Sequence, residues 1–123
     1  MREIKFKAWD GEAMSKPFYP WALIPDMLGG LIDIHGFSVM WTGYGWEWLQ
    51  FTGLHDKNGK EIYEGYLLKS PVEDIKYLKV SSNNGSFELY HNYGRWGLLS
   101  RLYETEFDVE IIGNIYENKN LLS

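Results

Sequence analysis

Three histidines, a run of alternating acids, one polar turn and a dense set of aromatics are the residues with which this chain could do chemistry. His35, His55 and His91 stand 20 and 36 residues apart, without the paired spacing that offers two imidazoles to one zinc ion. Isolated loop histidines are the expectation. Glu104, Glu106, Asp108 and Glu110 alternate with Tyr103, Thr105, Phe107, Val109 and Ile111. Neighbouring carboxylates on one strand face lie about 6.8 Å apart, but one strand cannot surround a hard cation that takes roughly six or more oxygens. The acids read as a solvated face that also discourages edge-to-edge pairing. Asp56-Lys57-Asn58-Gly59 begins like a calcium loop, yet Glu61 stands at the sixth position, where the loop needs glycine, and Leu67 at the twelfth, where it needs an acid. Turn chemistry accounts for it, since Asn and Gly tolerate the positive φ of a tight reversal.

No strained Gly-x-Ser-x-Gly turn is present, and no glycine-rich loop leads into Lys and Ser or Thr to cradle phosphate. Cysteine is absent, which removes a disulfide framework, a thiolate metal site and a thiol nucleophile together. The expectation is a chain that is not an enzyme, with no catalytic residues, no metal and no cofactor. The aromatics remain: six Trp, nine Tyr and six Phe. Trp41, Tyr44, Trp46 and Trp48 form the densest group, and such rings can hold a peptide or stack exposed bases. Alternate residues of a strand face opposite sides, so at least half of this set is expected in the core, and all four are the candidates for partner contact.

The elements that must position these residues follow from periodicity. Residues 2–9 alternate, with Ile4, Phe6 and Ala8 on one face and Glu3, Lys5, Lys7 and Trp9 on the other, which predicts a strand with one buried face. Gly11 and the prolines at 17, 20 and 25 break the pattern into a loop that packs Phe18, Tyr19 and Trp21. Proline suits a first helical position, so a helical turn over 25–28 is expected. Residues 31–34 and 37–42 predict a hairpin turning at His35-Gly36, followed by an aromatic strand over 46–51 that Thr52-Gly53 ends. After the 56–59 turn, Ile62 and Tyr63 anchor the chain, and residues 66–69 form a short strand stopped by Ser70-Pro71. Residues 74–80 and 86–91 predict strand arms around a turn over 81–85, with Asn84-Gly85 at its tip as the strongest hairpin signal. Residues 94–102 fit one helical turn or a strand equally. The period of two over 103–111 predicts a long strand with Phe107, Val109 and Ile111 inward and Glu106, Asp108 and Glu110 outward, which Gly113-Asn114 breaks. Ile115, Tyr116, Leu121 and Leu122 then return over an open sheet edge. Short strands with glycine-bearing turns indicate an all-β barrel or roll.

Three blocks also resemble a known family. The residues 50–54 with 56–65, QFTGL and DKNGKEIYEG, are similar to the signature of the YopX family of phage and prophage proteins. The opening block 2–10, REIKFKAWD, and the block 109–118, VEIIGNIYEN, match that family's two ends in the same order. Tyr66 and Lys7 depart from the pattern, which has an acidic residue and an arginine there. The resemblance implies an SH3-like barrel over 49–123, beside a β-rich N-terminal subdomain over 1–48 with an irregular loop, the two forming one compact unit. It implies an accessory protein encoded by phage or prophage and supplies no reaction.

With 123 residues the chain suits one core. Hydrophobic residues make up 45% and charged residues 24%, ordinary globular usage that argues against disorder. Net charge is −5, split −2 before Leu49 and −3 from there on. Such even, mild acidity disfavours nucleic acid, whose affinity comes from clustered Lys and Arg. The opening residues lack the apolar run of a secretory leader, and no apolar run is long enough for a bilayer. The expected setting is the cytoplasm of a bacterial host. The expected function is a protein-binding or self-associating module, a homo-oligomer or the partner of a host or phage protein. The alternative is a small barrel that binds single-stranded nucleic acid through exposed aromatics.

Overall fold

The computed structural model describes residues 4–9, 11–19, 24–25, 31–32, 38–40, 47–83, 85–91, 94–103 and 108–122. Nearly every element among them is a strand, so the chain is all-β as its periodicity predicts. Contact density divides it into two units, Met1–Phe51 and Thr52–Ser123.

In the first unit, β1 (Phe6–Trp9) runs antiparallel to the start of β5 (Glu47–His55), with Phe6 opposite Gln50 and Ala8 opposite Trp48. β2 (Ile24–Pro25), β3 (Leu31–Ile32) and β4 (Ser38–Met40) make a separate antiparallel sheet in that order. β3 and β4 are the expected hairpin arms, while its turn at His35-Gly36 lies outside the described residues. Pro25 does not open a helix. It sits in β2 opposite Leu31, a place open to proline on an edge strand, where its missing N–H leaves no ladder bond unmade. Residues 26–28 lie outside the described residues.

Thr52-Gly53 does not end the strand either, because β5 continues to His55 and pairs with β6 (Glu61–Tyr63) in the second unit. Gly53 has φ +87° within the strand, a conformation open to glycine without penalty. Thr52 Oγ1 donates to the Ile62 carbonyl at 2.8 Å and accepts from Leu54 N–H at 3.2 Å, so a side chain supplies what a bent ladder lacks.

β7 (Tyr66–Leu68), β8 (Leu78–Asn83), β9 (Ser86–His91), β10 (Gly94–Leu98) and β11 (Ile111–Asn114) build the main sheet in the order β10-β9-β8-β7-β11. Among the described residues β10 and β11 each pair on one side, so the order is open. β7 is the short strand expected over 66–69, and it is buried throughout. That is why it reads as an unbroken apolar run rather than as an alternation. β8 starts later than its periodicity predicts, at Leu78, and it keeps pairing through Asn83 opposite Ser86. Residues 81–83 therefore belong to the strand rather than to the turn, with Gly85 at φ +84° before β9; Asn84 lies outside the described residues. The ambiguous stretch after Gly94 resolves into both alternatives: β10, then α1 (Leu99–Tyr103). Leu99 and Leu102 fall three apart on α1 and are buried, as the helical period requires. Ile62, Tyr63, Leu67, Leu68, Leu78, Val80 and Leu89 complete a core of fully buried side chains, each contributing about 1.5–3 kcal/mol of apolar burial.

The long strand expected over 103–111 is a correction. Tyr103 ends α1, residues 108–110 belong to no strand, and pairing begins only at Ile111. Gly113 and Asn114, expected to break the strand, lie inside β11. The alternation itself survives in burial, with Val109 buried and Asp108 exposed, although Ile111 is only half-buried; Glu106 and Phe107 lie outside the described residues. The backbone here makes its hydrogen bonds outside any strand: Lys57 N–H donates to the Val109 carbonyl at 2.7 Å and Lys69 N–H to that of Glu110 at 2.9 Å. Past β11, Ile115 N–H donates to the Gly65 carbonyl at 3.0 Å, and residues 119–122 form a 3-10 turn.

Candidate functional site

Of the four aromatics singled out by sequence, Trp48 is described; Trp41, Tyr44 and Trp46 lie outside the described residues. The pairing of Ala8 with Trp48 and Phe6 with Gln50 puts Phe6, Ala8 and Trp48 on one face of the β1–β5 ribbon, since directly paired residues share a face. The third ring arrives from the loop. Ser15 fastens it, its Oγ accepting from Ala8 N–H at 2.8 Å and donating to the Lys16 carbonyl at 2.9 Å. Phe6 and Phe18 then exchange backbone bonds of 2.9 and 2.8 Å.

The result is a three-ring pad. Trp48 meets Phe18 edge-on at 5.3 Å and Phe6 at 5.5 Å, while Phe6 and Phe18 stack at 6.4 Å, distances at which aromatic pairs gain energy beyond simple burial. Phe18 is 4% exposed, but Trp48 keeps 41% of its surface exposed. Ile4 and Tyr19, further exposed apolar residues of this unit, are sequence neighbours of the pad. The opposite face of the ribbon is closed: Leu49 and Phe51 are buried, and Lys5 Nζ sits 4.8 Å from the centre of the Phe51 ring. Trp48 is thus held by two rings from below and has a free surface above. The alternation over residues 2–9 predicts Ile4, Phe6 and Ala8 on one buried face, of which Ala8 is buried, Phe6 half-buried and Ile4 exposed; of Phe18 the sequence predicts only that it packs. Nothing local in the sequence shows that Ser15 brings them together under Trp48.

In the second unit the side chains of the polar turn do something different. Asp56 is 6% exposed. Its Oδ1 accepts from Asn58 N–H and Lys60 N–H, each at 2.9 Å, and its Oδ2 accepts from Ile111 N–H at 3.1 Å. Burial works against the charged carboxylate, but those three donors and the nearby Lys60 charge outweigh it, so the group titrates below its ordinary 3.8. Lys57 adds an ion pair of 3.3 Å to Glu110. Asn114 performs the same service at the other block. Its Oδ1 accepts from Tyr116 and Glu117 N–H at 3.0 and 2.8 Å, and Nδ2 donates to Glu117 at 2.8 Å. Tyr116 in turn covers Gly65, where a Cβ would lie 3.0 Å from its ring. Tyr66, a departure from the family pattern, is buried with its ring 5.6 Å from Tyr63. The two blocks that stand 109–118 and 56–65 in sequence are therefore one docked structure, in which the Asp56 carboxylate and the Asn114 Oδ1 are spent on backbone N–H groups.

Among the described residues no three His, Asp or Glu side chains gather as metal ligands, and no helix is long and apolar enough to cross a membrane.

No curated protein matches the chain. Two solved structures share its fold. Protein EF1440 from Enterococcus faecalis is 23% identical with a TM-score of 0.61, each chain covering 100% of the other. Protein yopX from Bacillus subtilis is 20% identical with a TM-score of 0.55, over 100% of this chain and 98% of that one. The model of the family described as YopX protein matches residues 35–123, which takes in both docked blocks. The chain belongs to the YopX family.

Proposed function

We propose that this chain is a non-enzymatic accessory protein of phage or prophage origin that works in the bacterial cytoplasm by protein contact, with a host or phage partner or with a second copy. The observation that carries the reading is Trp48, a large ring 41% exposed on a rigid support of Phe6 and Phe18. Tryptophan at such a position is the side chain that most often dominates a protein interface, and its support lowers the entropy lost on binding. The carboxylate of Asp56 is occupied as a backbone acceptor and held charged, which fits a structural duty better than proton transfer.

Light scattering across a concentration series, beside capture from infected host cells with and without nuclease, tests this. Association or capture that resists nuclease and is lost in Trp48→Ser supports it. A monomer at every concentration with no Trp48-dependent capture overturns it, and salt-sensitive binding of single-stranded DNA would install the nucleic-acid reading in its place.

A further inference from the structure

The outer face of the main sheet carries a second cluster, independent of Trp48. Tyr90 on β9 is paired with Lys79 on β8 and with Arg95 on β10, so the three side chains stand in one row on one face. Glu88 lies two residues from Tyr90 on the same strand and is 7% exposed. Both its oxygens are used. Asn83 Nδ2 donates to Oε1 at 3.0 Å, while Tyr90 Oη at 3.2 Å and Arg95 Nε at 2.5 Å donate to Oε2. The Arg95 hydrogen bond, then that of Asn83, keeps Glu88 charged against its burial, with its pKa below the ordinary 4.5. The bond to Glu88 likewise raises the Tyr90 pKa above 10.0, which keeps the phenol neutral.

The consequence is for Arg95. Glu88 grips it through Nε only, leaving the two Nη groups to donate, and its side chain is 53% exposed. A guanidinium held at one edge presents a fixed fork, the geometry that takes a carboxylate bidentately. Lys79 is half-buried and has no ion-pair partner among the described residues. It stands two strands away, about 9.6 Å across the sheet. Glu88 offsets one of these charges, so the row of Lys79, Arg95 and Glu88 carries one net positive charge on a chain of net charge −5. Two cations flanking a flat neutral ring fit an extended acidic segment, whose alternate carboxylates repeat about every 6.8 Å and whose stems can lie on the ring.

We propose that the Lys79–Tyr90–Arg95 row is a binding site for an acidic peptide segment of a protein partner, with Arg95 as the carboxylate fork and Lys79 as the second anchor. Glu88 is the positioning residue that aims the fork. A single pair of cations is too little for a nucleic-acid backbone, whose affinity grows with each phosphate neutralised.

The test is titration of the full-length 15N-labelled chain at low salt with a hexapeptide of alternating Glu and Gly, beside a Lys-Gly peptide and inorganic phosphate. Amide shifts centred on residues 79–81, 88–90 and 94–97, lost at high salt and absent with the lysine peptide, are the expected result. Lys79→Gln, which touches none of the Glu88 bonds, should weaken binding by tenfold or more and leave the denaturation midpoint unchanged. Arg95→Gln should weaken it at least as much, with its fold checked by the same spectra. Shifts located elsewhere, equal affinity in Lys79→Gln, or phosphate bound in preference to the glutamate peptide would each overturn the proposal.

Discussion

Trp48 and Asp56 are eight residues apart in sequence, both on or beside β5, and they use their side chains in opposite ways. Trp48 lies on a ring pad made by its own unit and keeps its remaining surface for solvent. Asp56 is closed over by backbone N–H groups of its own turn and of a segment 55 residues away. The difference shows what kind of information each stretch carries. Residues that satisfy the backbone must match a fixed geometry, so a family pattern built from them marks the fold. A contact surface needs only a supported ring, which places no such demand on its neighbours.

The largest effect expected from breaking this contrast is in the second unit. Ile62→Ala removes a side chain with no exposed surface and should cost about 2–5 kcal/mol, read as a lower denaturation midpoint in urea. Asp56→Asn comes next, at roughly 2 kcal/mol, because it weakens hydrogen bonds made to a charged acceptor. Its pH dependence identifies the cause. A carboxyl whose folded pKa is depressed contributes stability that is fully present above 3.8, its ordinary value, and is lost as pH falls through the lower folded value. The wild type should lose stability over that acid range, and Asp56→Asn should lose less of it.

Gly65→Ala and Gly59→Ala sharpen the picture further. Both glycines have positive φ, +85° and +79°, but a Cβ at Gly65 would press on Tyr116 at 3.0 Å while Gly59 has nothing within 4 Å. Both substitutions carry the left-handed strain of about 1–2 kcal/mol, and Gly65→Ala should cost more by the displacement of Tyr116. Comparing the two by thermal denaturation separates strain from docking. Trp48→Ser gives up two ring contacts, about 1–3 kcal/mol together, and it should abolish association outright in protein that is still folded. A variant that associates normally would move the contact surface away from the pad.

Much of the second unit is legible in sequence where a few adjacent residues decide the outcome. The 56–59 turn depends on backbone preferences of the residues in it and forms where expected, and β8 and β9 pair as the arms of the expected hairpin. Periodicity fares less well when it must also choose a partner. Over 103–111 it reports the burial of Val109 and the exposure of Asp108, but cannot know that Lys57 and Asp56 will take the hydrogen bonds a sheet would have used. Thr52-Gly53 misleads for a related reason: glycine with positive φ usually stops a strand, and here the Thr52 hydroxyl bridges the interruption to Ile62. At the candidate site, Trp48 could be picked out by type, whereas Phe18 could not be paired with it, because the Ser15 bonds that seat the loop follow from no repeat. The row of Lys79, Tyr90 and Arg95 was invisible for the same reason, since it exists only once two hairpins fix their registers.

The bond from Ile111 N–H to Asp56 has a consequence for how fast the chain unfolds. Closing a loop of 55 residues costs entropy that local turns do not, roughly (3/2)RT ln n, so this contact is expected to form after them. The 56–59 turn and the Asn84-Gly85 hairpin can form early, each from neighbours in sequence. Docking of the 109–118 block, which closes β11 onto β7, is then expected to come after the rate-limiting barrier. In a chevron plot Asp56→Asn should therefore steepen the loss through faster unfolding and leave the folding limb in place. The carboxylate acts as a brake on opening, setting how long the closed sheet lasts rather than how soon it is made.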